Sequence, residues 1–212
     1  MAATGLARGS RATRDQRQAD LLARAAAAIL DQGGLPLAFE RLARLAGVSK
    51  ALVYNYFPTQ GALGCALLQR ELDAIDRAAI GAVAAIADPL QAARTASDLY
   101  FDLIAARGPM LHLLLADPVV AQGEGRAMVV RAALLLRPLV RRLRSALKLT
   151  PREANAVMHL LMTYPEEAGR KVSRGEANSG LARQLSGDAV VAGLAALSGG
   201  ADQGAALGGE PL

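Results

Sequence analysis

The short stretch KALVYNY, residues 50–56, concentrates side chains that form specific polar contacts. It holds two of the four tyrosines of the chain, together with a lysine and an asparagine. A lysine ammonium can bind guanine or phosphate, an asparagine amide can pair with adenine, and tyrosine hydroxyls donate to phosphates. These residue types indicate contact with a partner outside the core, and duplex DNA fits their chemistry.

Helical geometry separates the polar members of this stretch from the apolar ones. At about 100° per residue, Val53, Tyr56 and Phe57 share a face that can pack on neighbouring helices. Leu52 lies on the flank. The outward face contains small, cationic, amide and phenol groups, namely Lys50, Ala51, Tyr54 and Asn55.

Local signals predict the elements that position this face. A first helix ends at Gly33-Gly34, and a second, Phe39–Ala46, ends at Gly47. Ser49 is a good N-cap for a third helix, which should end before Pro58. Two helices joined by a tight glycine turn form a helix-turn-helix.

The rest of the sequence predicts further helices and no strands. Thr59 can cap a fourth helix, Asp88-Pro89 begins another, and Thr150-Pro151-Arg152-Glu153 is a capping box. Pro138 should kink or split one long helix, and Pro165 should interrupt a second. We therefore expect an all-α fold with about nine helices.

Composition and charge bound the class of protein. The 212 residues are 52% hydrophobic but only 3% aromatic, a composition that favours helices. No apolar run reaches about 18 residues, no secretory signal is present, and the single cysteine, Cys65, excludes an internal disulfide. We expect a cytoplasmic protein. Residues 1–60 hold eight basic and four acidic residues, so they carry +4 of the net +5. A polyanionic partner and a solvated basic tail explain this imbalance equally well.

The segment LARLAGVSKALVYNYFPTQGAL resembles the DNA-binding segment of the TetR (tetracycline repressor) family of bacterial regulators. The resemblance covers residues 15–64 and rests on Leu42-Ala43, Ala46-Gly47-Val48-Ser49, Tyr54-x-Tyr56-Phe57 and Leu63. It implies an N-terminal three-helix DNA-binding domain with the helix-turn-helix, residues 14–58, and a C-terminal helical effector-binding and dimerisation domain, residues 59–198. Residues 1–13 would be a flexible basic arm, and residues 199–212 a disordered tail.

The resemblance also implies which residues contact DNA. Gln60 stands where many members have a lysine, Ala38 replaces a common Ser/Thr cap, and Glu40 stands where some members read a base. Tyr56 is a contact in the family pattern, although the helical wheel turns it toward the core. Arg8, Arg11 and Arg14 of the arm would enter a minor groove or only solubilise the chain. The expected DNA contacts are Lys50, Ala51, Leu52, Tyr54, Asn55, Tyr56 and Gln60.

The C-terminal half supplies candidates for an effector pocket and for a dimer interface. A helix over residues 189–197 is apolar on every side, so it predicts a second covered face, most simply a second subunit. The interface candidates are Leu161, Val190, Val191, Leu194 and Leu197. Methionines and few aromatics predict an adaptable apolar pocket, although ordinary core packing explains each residue alone. The pocket candidates are Tyr100, Phe101, Ile104, Met110, His112, Leu113, Met128, Met158, His159 and Met162.

These observations predict a homodimeric DNA-binding transcriptional regulator, a repressor released from a palindromic operator by a small hydrophobic molecule. The alternative is a helical ligand- or protein-binding module that has lost DNA binding. Two histidines and one cysteine predict no metal site, and we expect no cofactor. No nucleophile elbow, phosphate loop or paired catalytic acids appear, so an enzyme is not expected. Cys65 is a redox switch or, more simply, a small buried residue.

Overall fold

The computed structural model describes residues 3–78, 80–123 and 125–206, with side chains for 13–78, 82–123 and 125–198. The described part contains ten α-helices, one 3₁₀ helix at Ile80–Ala85 and no strand. The helices are α1 (Ala3–Gln32), α2 (Phe39–Ala46), α3 (Lys50–Tyr56), α4 (Gln60–Arg77), α5 (Pro89–Arg107), α6 (Met110–Ala116), α7 (Pro118–Ala121), α8 (Arg126–Ala146), α9 (Pro151–Ser173) and α10 (Ser179–Ala206).

The chain forms two compact units. The first comprises Met1–Leu72 with Met110–Val129, and the second comprises Asp73–Pro109 with Val130–Leu212. The first unit is therefore larger than the 14–58 segment expected from sequence, because it also includes the beginning of α4 and the helices α6 and α7. Its assignment as a DNA-binding domain remains a proposal.

The helix-turn-helix of the first unit forms as its capping residues predict. Gly47 adopts the left-handed conformation, with φ of 66°, and its N–H donates to the carbonyls of Ala43 and Arg44. The Ser49 side chain accepts from the Leu52 N–H at 3.2 Å and begins α3. Leu42 and Val53 are fully buried, so the apolar faces of α2 and α3 pack inward.

A close approach of α4 and α7 completes the first unit. Val120 is fully buried, and its side chain occupies the space where Gly64 would otherwise carry a Cβ. Asp117 positions α7 by accepting from the N–H groups of Val119 and Val120. Any side chain at position 64 would therefore collide with Val120.

The second unit is built mainly from α5, α9 and α10. A Cβ at Gly169 of α9 would lie 2.8 Å from the Ile104 Cβ of α5, so these two helices touch through their backbones. The guanidinium of Arg183 on α10 donates two bonds of 3.1 Å to the Asp102 carboxylate of α5. Close backbone contact and this ion pair together fix the three helices.

The helices are continuous at two prolines, which excludes the split considered at Pro138 and the interruption predicted at Pro165. Pro138 lies inside continuous α8, and Pro165 lies inside continuous α9, so neither splits its helix. Pro165 is buried, and the packing around it offsets the single backbone bond that the proline removes. The Thr150 capping box that begins α9 is confirmed, because the Glu153 N–H donates to Thr150 Oγ1 at 3.3 Å and the Thr150 N–H donates to Glu153 at 2.8 Å.

The ends of the chain also differ from the predicted bounds. Helix α1 begins at Ala3 rather than near residue 14, and α10 continues to Ala206 rather than ending near residue 198. The side chains of 3–12 and 199–206, and all of residues 1–2 and 207–212, lie outside the described residues. The mobility of the arm and of the tail therefore stays a prediction.

In the described part of the chain, no single helix combines the length and hydropathy of a membrane span. Two separate helices, Pro89–Arg107 and Met110–Ala116, reach that threshold only when they are counted together.

Candidate nucleic-acid interface and effector cavity

Helix α3 presents the polar face that the sequence predicts. Val53 and Phe57 anchor it, with exposed fractions of 0% and 1%. Lys50, Ala51 and Asn55 are exposed, and Tyr54 is 45% exposed. The anchored helix therefore holds a row of small, cationic, phenol and amide groups on the surface, and Leu52 is half-buried at its edge.

Lys50 is held on this surface by two neighbours. Its ammonium forms an ion pair with Glu40 of α2 and lies 5.6 Å from the centre of the Tyr54 ring. The Tyr54 ring in turn meets Phe39 edge to face, with ring centres 5.0 Å apart. Hydrogen bonding to Lys50 lowers the pKa of Glu40, and the same bond raises the pKa of Lys50. Glu40 therefore holds the Lys50 ammonium in an ion pair on the surface of α2 and α3.

Tyr56 faces α1 rather than open solvent. It is half-buried, and its hydroxyl lies 3.5 Å from the Arg14 carbonyl oxygen, a long donor–acceptor distance. The Arg14 guanidinium carbon lies 5.9 Å from the centre of the ring. The position is intermediate between the wheel prediction and the family pattern, because the ring packs while its polar end stays near the surface. The side chains of Arg8 and Arg11 lie outside the described residues.

Gln60 is not placed to contact DNA as predicted. Its amide Nε2 donates to the Leu37 carbonyl at 2.8 Å, and its Oε1 accepts from the Leu37 N–H at 3.0 Å. Leu37 is fully buried, so Gln60 satisfies both polar backbone groups of a core residue. The glutamine that departs from the family pattern therefore has a structural role here.

Arg44 is an exposed candidate for phosphate contact that the sequence analysis did not single out. It is exposed in the last turn of α2 and forms no ion pair within the described residues, whereas nearby Arg41 is paired with Asp31 at 2.8 Å. Its sequence signal was weak, because Glu40 precedes it by one helical turn and resembles an internal partner.

The second unit contains an apolar cavity of about 60 Å³. Two of the predicted pocket residues, Met158 and Met162, line it. Its other lining residues come from α5, α8, α9 and α10, and they are Pro89, Ala92, Ala93, Ala96, Leu139, Arg142, Leu143, Ala146, Leu161, Val190 and Leu194.

The remaining pocket candidates lie elsewhere. Phe101 and Ile104 are buried in the helix packing of the second unit, and Met110 is fully buried in the first. Tyr100 donates to the Glu166 carboxylate at 3.1 Å, and burial raises the pKa of its phenol. His112 and His159 are exposed, and Leu113 and Met128 are half-buried. Apolar type alone did not distinguish core from cavity wall.

The dimer candidates also need correction. Leu161, Val190 and Leu194 are buried inside the second unit, where all three line the cavity, so they are unavailable to a partner. Val191 is half-buried and Leu197 is 43% exposed. Large apolar side chains instead reach the surface of α9 and α10 at Leu160, Tyr164, Leu181 and Leu185.

Cys65 of α4 is half-buried and is not part of a disulfide. Within the described residues, no three His, Cys, Asp or Glu side chains cluster as metal ligands would.

Comparison with known proteins reveals the same fold in regulators of transcription. The chain is 31% identical over 127 residues to the HTH-type transcriptional activator FasR of Mycolicibacterium smegmatis. The aligned region covers 60% of this chain and 58% of FasR. A TetR-like transcriptional regulator from Rhodococcus sp. RHA1 superposes with a TM-score of 0.59 at 20% identity, over 84% of this chain and 96% of its own. A TetR family transcription regulator from Marinobacter aquaeolei VT8 gives a TM-score of 0.61 at 20% identity, over 84% and 97%. No family model matches. These relatives are regulators rather than enzymes, and the resemblance inferred from the sequence is confirmed in the fold.

Proposed function

We propose that this chain, which has the fold of TetR-family transcriptional regulators, is a homodimeric DNA-binding regulator that responds to a small molecule. Helix α3 would enter the major groove, α9 and α10 would pair two subunits, and the cavity of the second unit would hold the effector. The FasR relative is matched over little more than half of its length, and its named activity supports the proposal.

The polar face of α3 carries this proposal. Val53 and Phe57 fix the helix from behind, while Lys50, Tyr54 and Asn55 remain exposed in front. A major groove admits one α-helix, and lysine and asparagine can read its base edges. The hydroxyl of Tyr54 and the guanidinium of Arg44 can bind phosphates and fix the register of the helix.

Exposed apolar side chains support the homodimer. Leu160 is 68% exposed, Leu185 59%, Leu181 57% and Tyr164 51%. An apolar surface of this kind is typical of a protein–protein interface. A two-fold axis would use the same patch on both subunits.

Such a regulator can either repress or activate transcription. We infer repression, because a dimer bound across a promoter excludes polymerase without any further contact. Activation is the second candidate, since the relative from Mycolicibacterium smegmatis is named as an activator. A promoter–reporter fusion with and without the regulator separates the two: repression predicts higher expression when the regulator is deleted.

DNA titration tests the function itself. Fluorescence anisotropy of labelled genomic fragments should show binding that weakens steeply as salt rises, because phosphate contacts release counterions. Random DNA should bind more weakly than a selected fragment. Equal affinity without salt dependence would instead support the alternative, a helical binding module that no longer recognises DNA.

A further inference from the structure

The cavity of the second unit has one charged residue in an otherwise apolar wall. Of its thirteen lining residues, twelve are apolar and the other is Arg142 of α8. A wall of alanine, leucine, valine and methionine suits a hydrocarbon group. A guanidinium at the edge of such a wall is the feature that ordinary core packing does not require.

The guanidinium of Arg142 donates hydrogen bonds to neutral backbone carbonyls only. Its Nη1 donates to the Ala84 carbonyl and its Nη2 donates to the Ala87 carbonyl, both at 2.7 Å. It forms no ion pair with any described carboxylate. The two carbonyls use its N–H groups, but no negative charge balances the guanidinium, and an anion would be a stronger acceptor.

Further positive charge lies on the outer side of the same helix. Arg137 and Arg141 line an open groove together with Arg142 and Ser145. Arg137 and Arg141 are exposed, and neither pairs with an acid of the described chain. The acid nearest to Ala87 in sequence is Asp88, and its carboxylate caps α5 by accepting from the Leu90 and Gln91 N–H groups. Arg142 therefore lies between an apolar cavity and a cationic groove.

We propose that the effector is an amphiphile with an apolar chain and an anionic head. The chain occupies the cavity, and the head binds the Arg142 guanidinium, with Arg137 and Arg141 adding attraction from the groove. Carboxylate and phosphate heads share the required chemistry, because both accept a forked pair of guanidinium bonds. The inference rests on the proposed function, since it names the ligand class to which that function responds.

Binding of such a ligand requires the cavity to enlarge. The cavity is about 60 Å³, below the roughly 300 Å³ at which small-molecule sites begin. Met158 and Met162 are the unbranched, flexible side chains of its wall, so they can rearrange. A head that takes Arg142 also releases the carbonyls of Ala84 and Ala87, so head binding is coupled to the 3₁₀ helix and the residues that follow it.

The test compares one chain length with three heads. Isothermal titration of the full chain with dodecanoate, dodecyl phosphate and dodecanol measures the contribution of the charge, with the anions below their micellar concentrations and the alcohol below its solubility limit. Both anions should bind at least about tenfold more tightly than the alcohol, as expected for a charge-assisted forked bond. The affinities measured for dodecanoate and dodecyl phosphate then show which of the two anionic heads binds more tightly.

Matched variants locate the effect. Arg142→Met should abolish the preference for anions, whereas Arg144→Met, an exposed arginine of the same helix that lines neither space, should preserve it. Ala93→Leu, which fills the cavity, should weaken binding of all three ligands. Thermal unfolding verifies that each variant folds. If Arg142→Met does not fold, Arg142→Gln replaces it, because its amide can still donate to a backbone carbonyl but carries no charge.

Three results would overturn the proposal. They are equal affinity for the three heads, equal losses in Arg142→Met and Arg144→Met, or no binding of any amphiphile. If amphiphiles fail while the wild-type chain still binds DNA as a dimer, only the ligand class is wrong. Failure of DNA binding itself concerns the proposed function instead.

Discussion

The exposed side chains of α3 are the residues proposed to recognise DNA. Lys50, Tyr54 and Asn55 were predicted as exposed contacts from their positions on a helical wheel, and the structure exposes all three. The role of Gln60 could not be predicted, because its partner Leu37 is 23 residues away and the bond depends on tertiary packing. Patterns of a few residues report local faces, not long-range hydrogen bonds.

The two polar contacts of α3 should differ when they are substituted. We expect Tyr54→Phe to weaken binding to every DNA sequence alike, because a phosphate contact carries no sequence information. Lys50→Ala should change which sequence is preferred, because a base contact is lost. Competition binding with selected and random duplexes measures both, and equal losses on both DNAs for Lys50→Ala would contradict its assignment to base reading.

Glu40 should restrain Lys50 in the unbound protein. Their mutual hydrogen bond lowers the pKa of Glu40 and raises the pKa of Lys50, so both groups are charged near neutral pH. The ion pair is lost as pH falls through the folded pKa of Glu40 or rises through that of Lys50. Glu40→Gln should therefore strengthen binding to random DNA near neutral pH and steepen its salt dependence. Unchanged random-DNA affinity would show that the pair does not compete with phosphate.

Gln60 should contribute to stability rather than to DNA affinity. Gln60→Ala leaves the buried N–H and carbonyl of Leu37 unpaired, which costs roughly 1–3 kcal/mol of unfolding free energy. Urea denaturation measures this loss, and Gln91→Ala, an exposed glutamine on α5, is the control. If Gln60→Ala instead leaves stability intact and weakens DNA binding, the family pattern applies at this position after all.

Local sequence signals predicted where helices begin more accurately than they predicted the effect of prolines inside helices. Ser49, Asp88 and Thr150 cap α3, α5 and α9 as predicted. Pro138 was expected to kink or split its helix and Pro165 to interrupt a second, but both helices are continuous, and Pro165 is buried. Caps depend on nearest neighbours, whereas the effect of an internal proline depends on what surrounds the helix.

Close contact between α4 and α7 gives a prediction at this scale. Gly64→Ala would place a methyl group inside the space of the Val120 side chain, so we expect a loss of about 1–3 kcal/mol in unfolding free energy. Gly180→Ala on α10 meets only an Asn178 oxygen at 3.4 Å and should be neutral or slightly stabilising. Chemical denaturation compares the two, and equal stabilities would mean that α7 moves aside without cost.

Assembly is the property of the whole molecule that matters most for function. The all-α class was confirmed, whereas a second covered face on the apolar segment 189–197 stays a prediction. The residues chosen for that face were wrong at Leu161, Val190 and Leu194, because an apolar helix does not reveal which side its own subunit occupies.

The exposed apolar surface of α9 and α10 should govern association. Leu160→Glu combined with Leu185→Glu should convert the proposed dimer to a monomer, because charge in a buried apolar interface is strongly unfavourable. Val119→Glu, a 55% exposed valine in the first unit, is the matched control and should stay dimeric. Light scattering after size-exclusion chromatography reports the mass directly, and a dimeric double variant would place the interface elsewhere.

Footprinting on an operator selected from genomic DNA tests the central claim most directly, because it reports DNA binding, two-fold assembly and helix spacing together. We predict two protected half-sites related by a palindrome, separated by about one helical turn, roughly 34–36 Å, or a multiple of it. Protection should weaken in Tyr54→Phe. A single protected patch, or sequence-independent protection that Tyr54→Phe and Lys50→Ala leave unchanged, would contradict an α3 helix that reads DNA from a two-fold dimer.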